Sequence, residues 1–176
     1  MALHIRAARD GDAAAIAAIY AAHVLTGTAT FDTVPRSLAD FAAKIVESAA
    51  RGWPFLVAEA EGTVLGYAYA APFRDRAAYA ATCEDSIYVA AGRTGEGIGT
   101  GLLGALLVAA EAAGFRQMIA VIGGGEPASI ALHARLGFAP AGRLRAVGRK
   151  FGRWLDTVYM QAPLGAGDSA PPPVEP

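Results

Sequence analysis

The sequence predicts a mixed α/β domain with a central sheet of about seven strands and about four helices, in the order β-α-α-β-β-β-α-β-α-β-β. Three observations predict it. Short apolar runs bounded by turn residues are interspersed with alanine-rich stretches of helical spacing, without the regular βα alternation of a doubly wound sheet. Two apolar runs flank Glu61-Gly62, the signal of a hairpin. In the middle of the chain, a strand-like run meets a glycine-rich loop and then a long apolar helix. A length of 176 residues suits one domain with a sizeable core. The domain is expected over residues 1–164, with "GAGDSAPPPVEP" (165–176) having the composition of a disordered tail.

From the N-terminus, Leu3–Ala8 alternates as a strand, and after Asp10, a candidate cap, Ile16, Ile19, Tyr20 and His23 recur at helical spacing. "SLADFAAKIVESAA" reads as a second helix with Ser37 as N-cap, Asp40 three residues on, and Gly52 as its stop. "PFLVAEAEGTVLGYAYAA" is the hairpin, and "SIYVA" a further strand. "GTGLLGALLVAAEAAG" forms a helix ended by Gly114, "RQMIAVI" a strand, and "ASIALHARLG" a short helix. The last third reads as two strands joined by a turn rich in Gly and Lys/Arg, where Arg149, Lys150 and Arg153 are expected at a solvated tip, a partner or cofactor contact being the alternative.

Fifteen basic against sixteen acidic residues, a net charge of −1, argue against nucleic-acid binding as the main role. The single cysteine, Cys83, excludes an internal disulfide and a multi-cysteine zinc site, consistent with a reducing compartment. The start carries charges and no apolar signal core, and the longest uncharged apolar stretch, Gly97–Ala110, is too short to span a bilayer. A soluble, cytoplasmic protein without a metal is expected.

"GRTGEGIGTG" (Gly92–Gly101) raises the functional question. Strand, glycine loop and helix together aim unpaired amides and a positive helix end at an anion. The Lys-Ser/Thr pair that closes a P-loop is absent. "GTGLLG" (Gly99–Gly104) matches the dinucleotide string, with Glu126 after the next strand, but too few strand–helix pairs come after it for two mononucleotide halves. A turn with no ligand stays open; Gly101 and Gly104, which complete the dinucleotide string, fall inside the helix and are expected to serve close packing.

The surroundings carry a resemblance. "SIYVAAGRTGEGIGTGLLGALL" resembles the central motif of the GNAT superfamily of N-acetyltransferases, with Thr94-Gly95-Glu96-Gly97-Ile98-Gly99 at the six motif positions. Over roughly Ile5–Leu164 the chain is similar to the phosphinothricin N-acetyltransferases, a subgroup that includes enzymes for methionine sulfoximine and sulfone. "TATFDTVP", "APFRDRAAYAATCEDSIYV" and the Gly-x-Trp-x-Asp element at Gly152, Trp154 and Asp156 carry it. The resemblance implies a GNAT-like mixed sheet and direct acetyl transfer from acetyl-CoA, as co-substrate, to a small amine. It implies coenzyme contacts from Ile87, Tyr88 and Val89, from Thr94, Gly95, Glu96, Gly97, Ile98, Gly99 and Thr100, and from Ser129. It also implies an amide donor to the thioester carbonyl at Val89, and commonly a homodimer. The sequence departs at Thr94, where Arg or Gln is usual and neighbouring Arg93 could supply the charge, and at Glu126, where Asn is usual.

An ammonium cannot attack a thioester, so a general base near the amine is needed. Glu84, before the apolar "SIYV", is the candidate base, with a raised pKa expected; the plainer reading is a strand-end carboxylate paired with Arg74 or Arg76. Arg74, Arg76 and Tyr79 match the subgroup's substrate loop, where guanidinium groups would hold a carboxylate or phosphinate. Phe31 is expected to wall the acceptor pocket, or simply to join the core. His133 stands where the subgroup implies an acid to the leaving thiolate or a coenzyme contact; helix packing is the alternative. Rival functions are acetylation of another amine or a protein N-terminus, a non-catalytic coenzyme A-binding module, and a dinucleotide-binding oxidoreductase.

Overall fold

The computed structural model describes residues 3–173. Seven strands form one sheet: β1 (His4–Ala7), β2 (Phe55–Ala60), β3 (Thr63–Pro72), β4 (Thr82–Val89), β5 (Gln117–Gly123), β6 (Ala139–Lys150) and β7 (Arg153–Pro163). Four helices accompany it: α1 (Ala13–Thr26), α2 (Leu38–Arg51), α3 (Ile98–Ala112) and α4 (Pro127–Arg135). The spatial order is β1-β2-β3-β4-β5-β7-β6, antiparallel except for the parallel pair β4/β5. Class and element order are those expected from the sequence.

Local chemistry sets the element ends. Ser37 and Asp40 form a reciprocal capping box at the start of α2, and Gly52 ends the helix at φ 71°. The β2–β3 turn places Glu61 and Gly62 at φ 52° and 75°, the left-handed pair that a two-residue hairpin needs. At α1 the expected cap moves from Asp10 to Asp12. A short 3₁₀ turn occupies Asp10–Asp12, and the Asp12 carboxylate accepts from Arg9 N at 2.7 Å and from the Arg6 guanidinium. Arg6 also grips Glu59, so β1, β2 and the entry to α1 are tied at one cation.

The sheet separates two cores. Over one face α1 and α2 bury Ile16, Tyr20, Val24, Phe41 and Ile45 against Phe55, Val57 and Tyr67. Over the other, α3 lays Ile98, Leu102, Leu103 and Leu106 on Ala58, Ala68, Ala70, Met118 and Met160. Each large side chain so buried contributes about 1.5–3 kcal/mol of transfer free energy. Small residues let α3 come close: a Cβ on Gly101 would stand 3.0 Å from Ile5, and one on Gly99 3.2 Å from Leu132 of α4. The same expectation fails at Gly104, which faces open space.

The last strands correct a second expectation. Lys150 is buried at 5 % exposure, not solvated, because β6 turns it inward to donate from Nζ to the Thr30 carbonyl at 2.9 Å. Beyond β7, Leu164 is buried with its amide on Arg116 O, and turn hydrogen bonds run from Gly167 to Leu164 and from Ser169 to Ala166. Of the tail expected at 165–176, residues 174–176 lie outside the described residues.

Candidate active site

The site is a wedge between two parallel strands. β4 and β5 pair from Thr82/Gln117 to Asp85/Ala120 and no further. Beyond that point β4 stays with β3 as far as Val89/Gly66, while β5 stays with β7 as far as Gly123/Thr157. The hydrogen bonds Phe73 N to Thr82 O and Ala90 N to Leu65 O fix the alternation along β4. Residues 82, 84, 86, 88 and 90 direct their backbone groups to β3, and the odd positions face β5. Cys83 and Asp85 therefore complete the β4/β5 ladder, whereas Ile87 and Val89 turn theirs into the wedge. The Val89 carbonyl meets His23 Nε2 at 2.8 Å, leaving the Ile87 peptide groups and the Val89 amide directed at the gap. Tyr88, expected to offer its backbone too, gives it to β3; its ring packs edge-on to Tyr20 at 5.1 Å.

The glycine loop closes one end of the wedge. Gly92, Gly95 and Gly97 have φ of 76°, 85° and 81°, a region costly for other L-residues. A Cβ on Gly95 or Gly97 would meet nothing within 4 Å, so space stands open over the loop. Gly97 is the N-cap of α3 and supplies no side-chain cap, which leaves the first-turn amides at Ile98, Gly99 and Thr100 without a side-chain acceptor. Ile98 contributes its amide only, since its side chain is 1 % exposed in the core. Thr94 is exposed. Arg93 donates from Nε and a terminal nitrogen to the two oxygens of Glu96, at 2.7 and 2.8 Å, so both charges pair within the loop. Backbone amides and a helix dipole remain as the anion-facing groups, the donor set a diphosphate fits.

Glu84 lies on the face of β4 that looks toward α1 and α2, opposite Ala71 of β3 and beside Ile119 of β5. It is half-buried, and burial together with the Asp85 charge holds its carboxyl above the usual 4.5, partly offset by Arg74. Arg74 itself folds back, donating to the Phe73 carbonyl at 2.7 Å with its guanidinium 3.9 Å from the Phe73 ring centroid. Tyr79 meets the same ring edge-on at 5.9 Å, and Arg76 precedes the 3₁₀ turn Ala77–Tyr79. The loop residues are exposed, and Arg74 and Tyr79 gather around Phe73.

His133 is placed differently from its neighbours in the wedge. It is 2 % exposed, its Nδ1 donates to Ser129 O at 2.7 Å, and its Nε2 meets Asp85 Oδ2 at 3.1 Å. Both nitrogens thus face acceptors. Burial lowers its pKa, but the Asp85 hydrogen bond and charge and the Ser129 carbonyl outweigh that, and the net direction is upward. The pair ties α4 to β4 at the last paired position before the strands part. Ser129, half-buried on α4, turns its hydroxyl toward the same ring at 3.4 Å.

Phe31 stands in the segment after α1, against Gly123 and Gly148. The Thr28 hydroxyl donates to Glu126 at the start of α4, so this departure from Asn fastens that segment to the β5–α4 loop. Asp85, Lys150, Glu126 and His23 were not assigned functional contacts by sequence reasoning. Their partners lie 48 to 120 residues away, and no local spacing signals them. A cavity of about 450 Å³ lies apart from the wedge, between Val24, Leu25, Thr33 and the Arg149–Gly152 turn.

A parallel strand pair that parts over a glycine-capped helix, inside a seven-stranded mixed sheet, defines an acetyltransferase of the GNAT class. The chain belongs to that family: the acetyltransferase (GNAT) domain model matches residues 5–159. It is 50 % identical over 169 residues to a phosphinothricin N-acetyltransferase of Alcaligenes faecalis, covering 96 % of this chain and 86 % of that one. It is 43 % identical over 172 residues to an L-methionine sulfoximine/L-methionine sulfone acetyltransferase of Pseudomonas aeruginosa, covering 97 % and 100 %. Among solved structures it superposes on a GNAT superfamily phosphinothricin acetyltransferase of Sinorhizobium meliloti in complex with acetyl-CoA. That match has a TM-score of 0.94, 48 % identity and coverage of 98 % and 94 %. An acetyltransferase of Salmonella typhimurium, solved with acetyl-CoA, gives a TM-score of 0.93 at 36 % identity, covering 99 % and 100 %.

Proposed function

We propose that the protein transfers the acetyl group of acetyl-CoA to the amino group of a small amino-acid-like acceptor of the phosphinothricin or methionine sulfoximine/sulfone type, with Glu84 as general base. The observation that carries the reading is the place of Glu84: a carboxyl with a raised pKa, three residues before the point where β4 turns the Ile87 and Val89 backbone into an unpaired wedge. The relatives named for those acceptors support the substrate class.

In this reading the amides of Gly97–Thr100 and the α3 dipole hold the diphosphate, while Ile87 and Val89 offer main-chain hydrogen bonds to the peptide-like arm of the donor. Glu84 takes the proton from the acceptor ammonium, directly or through one water, and the free amine attacks the thioester carbonyl. The C–N bond forms, the oxyanion is met by a backbone amide of the wedge, and the C–S bond then breaks to release the coenzyme as its thiolate, which takes up the second proton that the former amine nitrogen gives up as the amide forms. Arg74 and Arg76 supply positive charge for the acceptor's acidic group, with Tyr79 and Phe31 at its border. His133 acts through Asp85 in placing β4, because its nitrogens are occupied. Two copies of the chain are proposed to associate as a homodimer in the cytoplasm.

A thiol-release assay with acetyl-CoA tests this, using phosphinothricin, methionine sulfoximine, methionine sulfone and a peptide N-terminus as acceptors. Turnover of the first three is expected. Turnover of the peptide alone, or acetyl-CoA binding without transfer to any acceptor, would replace the substrate assignment with one of its rivals.

A further inference from the structure

The Gly-x-Trp-x-Asp element has a structural consequence that reaches across the sheet. Asp156 on β7 accepts from Ala146 N at 2.9 Å and from Arg143 Nε at 2.7 Å, both on β6. Between these anchors the ladder is interrupted: Leu144 pairs with Thr157, and the next pair is Gly148 with Leu155. Four positions of β6 thus span two of β7, and Ala146 adopts a φ of 52° within the excess. Such a bulge re-aims the residues beyond it.

The end of β6 is thereby turned onto the segment after α1. A Cβ on Gly148 would lie 2.8 Å from Phe31 Cζ and closer still to Cε2 and Cδ2. The φ of Gly148 is not left-handed, so the requirement at this position is for space alone. From the other side a Cβ on Gly123 would come within 3.2 Å of Phe31 Cε1. Two residues beyond Gly148, buried Lys150 donates to the carbonyl of Thr30. One short stretch of β6 therefore holds both the ring of Phe31 and the backbone beside it.

We propose that Gly148 and Lys150 are positioning residues for the acceptor: they fix where the Phe31 ring stands and thereby set which acceptor side chains the enzyme accepts. The proposal rests on the reading that Phe31 borders the acceptor site. Gly148 makes the slot, Lys150 holds the segment in register with it, and Asp156 maintains the bulge that faces both toward Phe31.

The test is a double-mutant cycle with Gly148→Ala, Phe31→Ala and their combination, with Lys150→Met as a separate variant. Each is compared with the wild type in melting temperature, kcat, KM for acetyl-CoA, and KM for phosphinothricin and methionine sulfoximine. In the wild-type background Gly148→Ala is expected to raise the acceptor KM about 10-fold and to change the preference between the two acceptors, since misplacing a substrate-bordering group has effects of that order or larger. The KM for acetyl-CoA stays constant. In the Phe31→Ala background the added methyl meets no ring, and Gly148→Ala changes the acceptor KM no further. Lys150→Met raises the acceptor KM in the same direction. An effect of Gly148→Ala that is equal with and without the ring, or that falls on acetyl-CoA instead, would overturn the proposal while leaving the acetyltransfer reading intact. A wild type inert toward both acceptors would overturn the acceptor reading itself, and this proposal with it.

Discussion

Replacing His133 with leucine removes the ion-pair partner of Asp85 within the core between α4 and β4. Both side chains are 2 % exposed, so the carboxylate left behind has no solvent to turn to. Breaking a buried pair by deleting one partner costs about 3–5 kcal/mol. With an unfolding entropy of about 2.1 cal/mol/K per residue, 176 residues give about 0.37 kcal/mol/K, so the melting temperature should fall by about 8–14 °C. Removing both charges, as Asp85→Val with His133→Leu, should recover at least half of that loss. The pH dependence has a defined sign. The folded-state pKa of His133 is raised above the ordinary 6.5, so its contribution is complete below that value and lost as pH rises through the folded value. The gap between wild type and His133→Leu, measured by thermal denaturation, should therefore narrow toward alkaline pH. At temperatures where the variant is folded, kcat should stay within about 10-fold of wild type, below the 10²–10⁴-fold that a lost general acid costs. An unchanged melting temperature with a kcat about 10³-fold lower would refute the pairing argument and restore His133 as a proton donor.

Two further substitutions separate donor binding from folding. Gly97→Ala keeps the open space over the loop but forces a φ of 81° on an L-residue at a cost of about 1–2 kcal/mol. Steady-state kinetics should show the KM for acetyl-CoA raised about 10-fold and the acceptor KM unchanged. Ser37→Ala removes one half of the α2 capping box, far from the wedge. It should lower stability by about 1 kcal/mol in a denaturant titration and leave both KM values alone.

Features written in contiguous residues were legible in the sequence. Ser37 and Asp40, Glu61-Gly62 and the Gly92–Gly97 loop each depend on backbone geometry within a few residues, so their types disclosed their conformations. Glu84 was legible through its neighbours, because "SIYV" already predicted an apolar surrounding that would raise its pKa. The departures come from contacts that fold topology alone creates. Lys150 looks like a hairpin-tip charge until β6 is seen to face Thr30, 120 residues earlier in the chain. His133 carries the residue type of an acid, but its surroundings depend on Asp85, whose side-chain direction is set by the alternation along β4. Gly148 shows no positive φ and no motif, and its need for glycine appears only when the Phe31 ring is placed beside it. Gly104 shows the converse, a glycine in a suggestive string that faces open space.

The most direct measurement of the central claim is the pH profile of kcat/KM for acetyl transfer by the wild type and by Glu84→Gln. In the wild type the rate should fall as pH drops through the raised pKa of Glu84, with a midpoint above the ordinary carboxylate value of 4.5. Glu84→Gln should lose about 10²–10⁴-fold at neutral pH, and its rate should then climb steadily with pH as free amine becomes available without a base. A variant with the wild-type profile and rate would contradict the assignment of Glu84, and with it the account of how this wedge activates an amine.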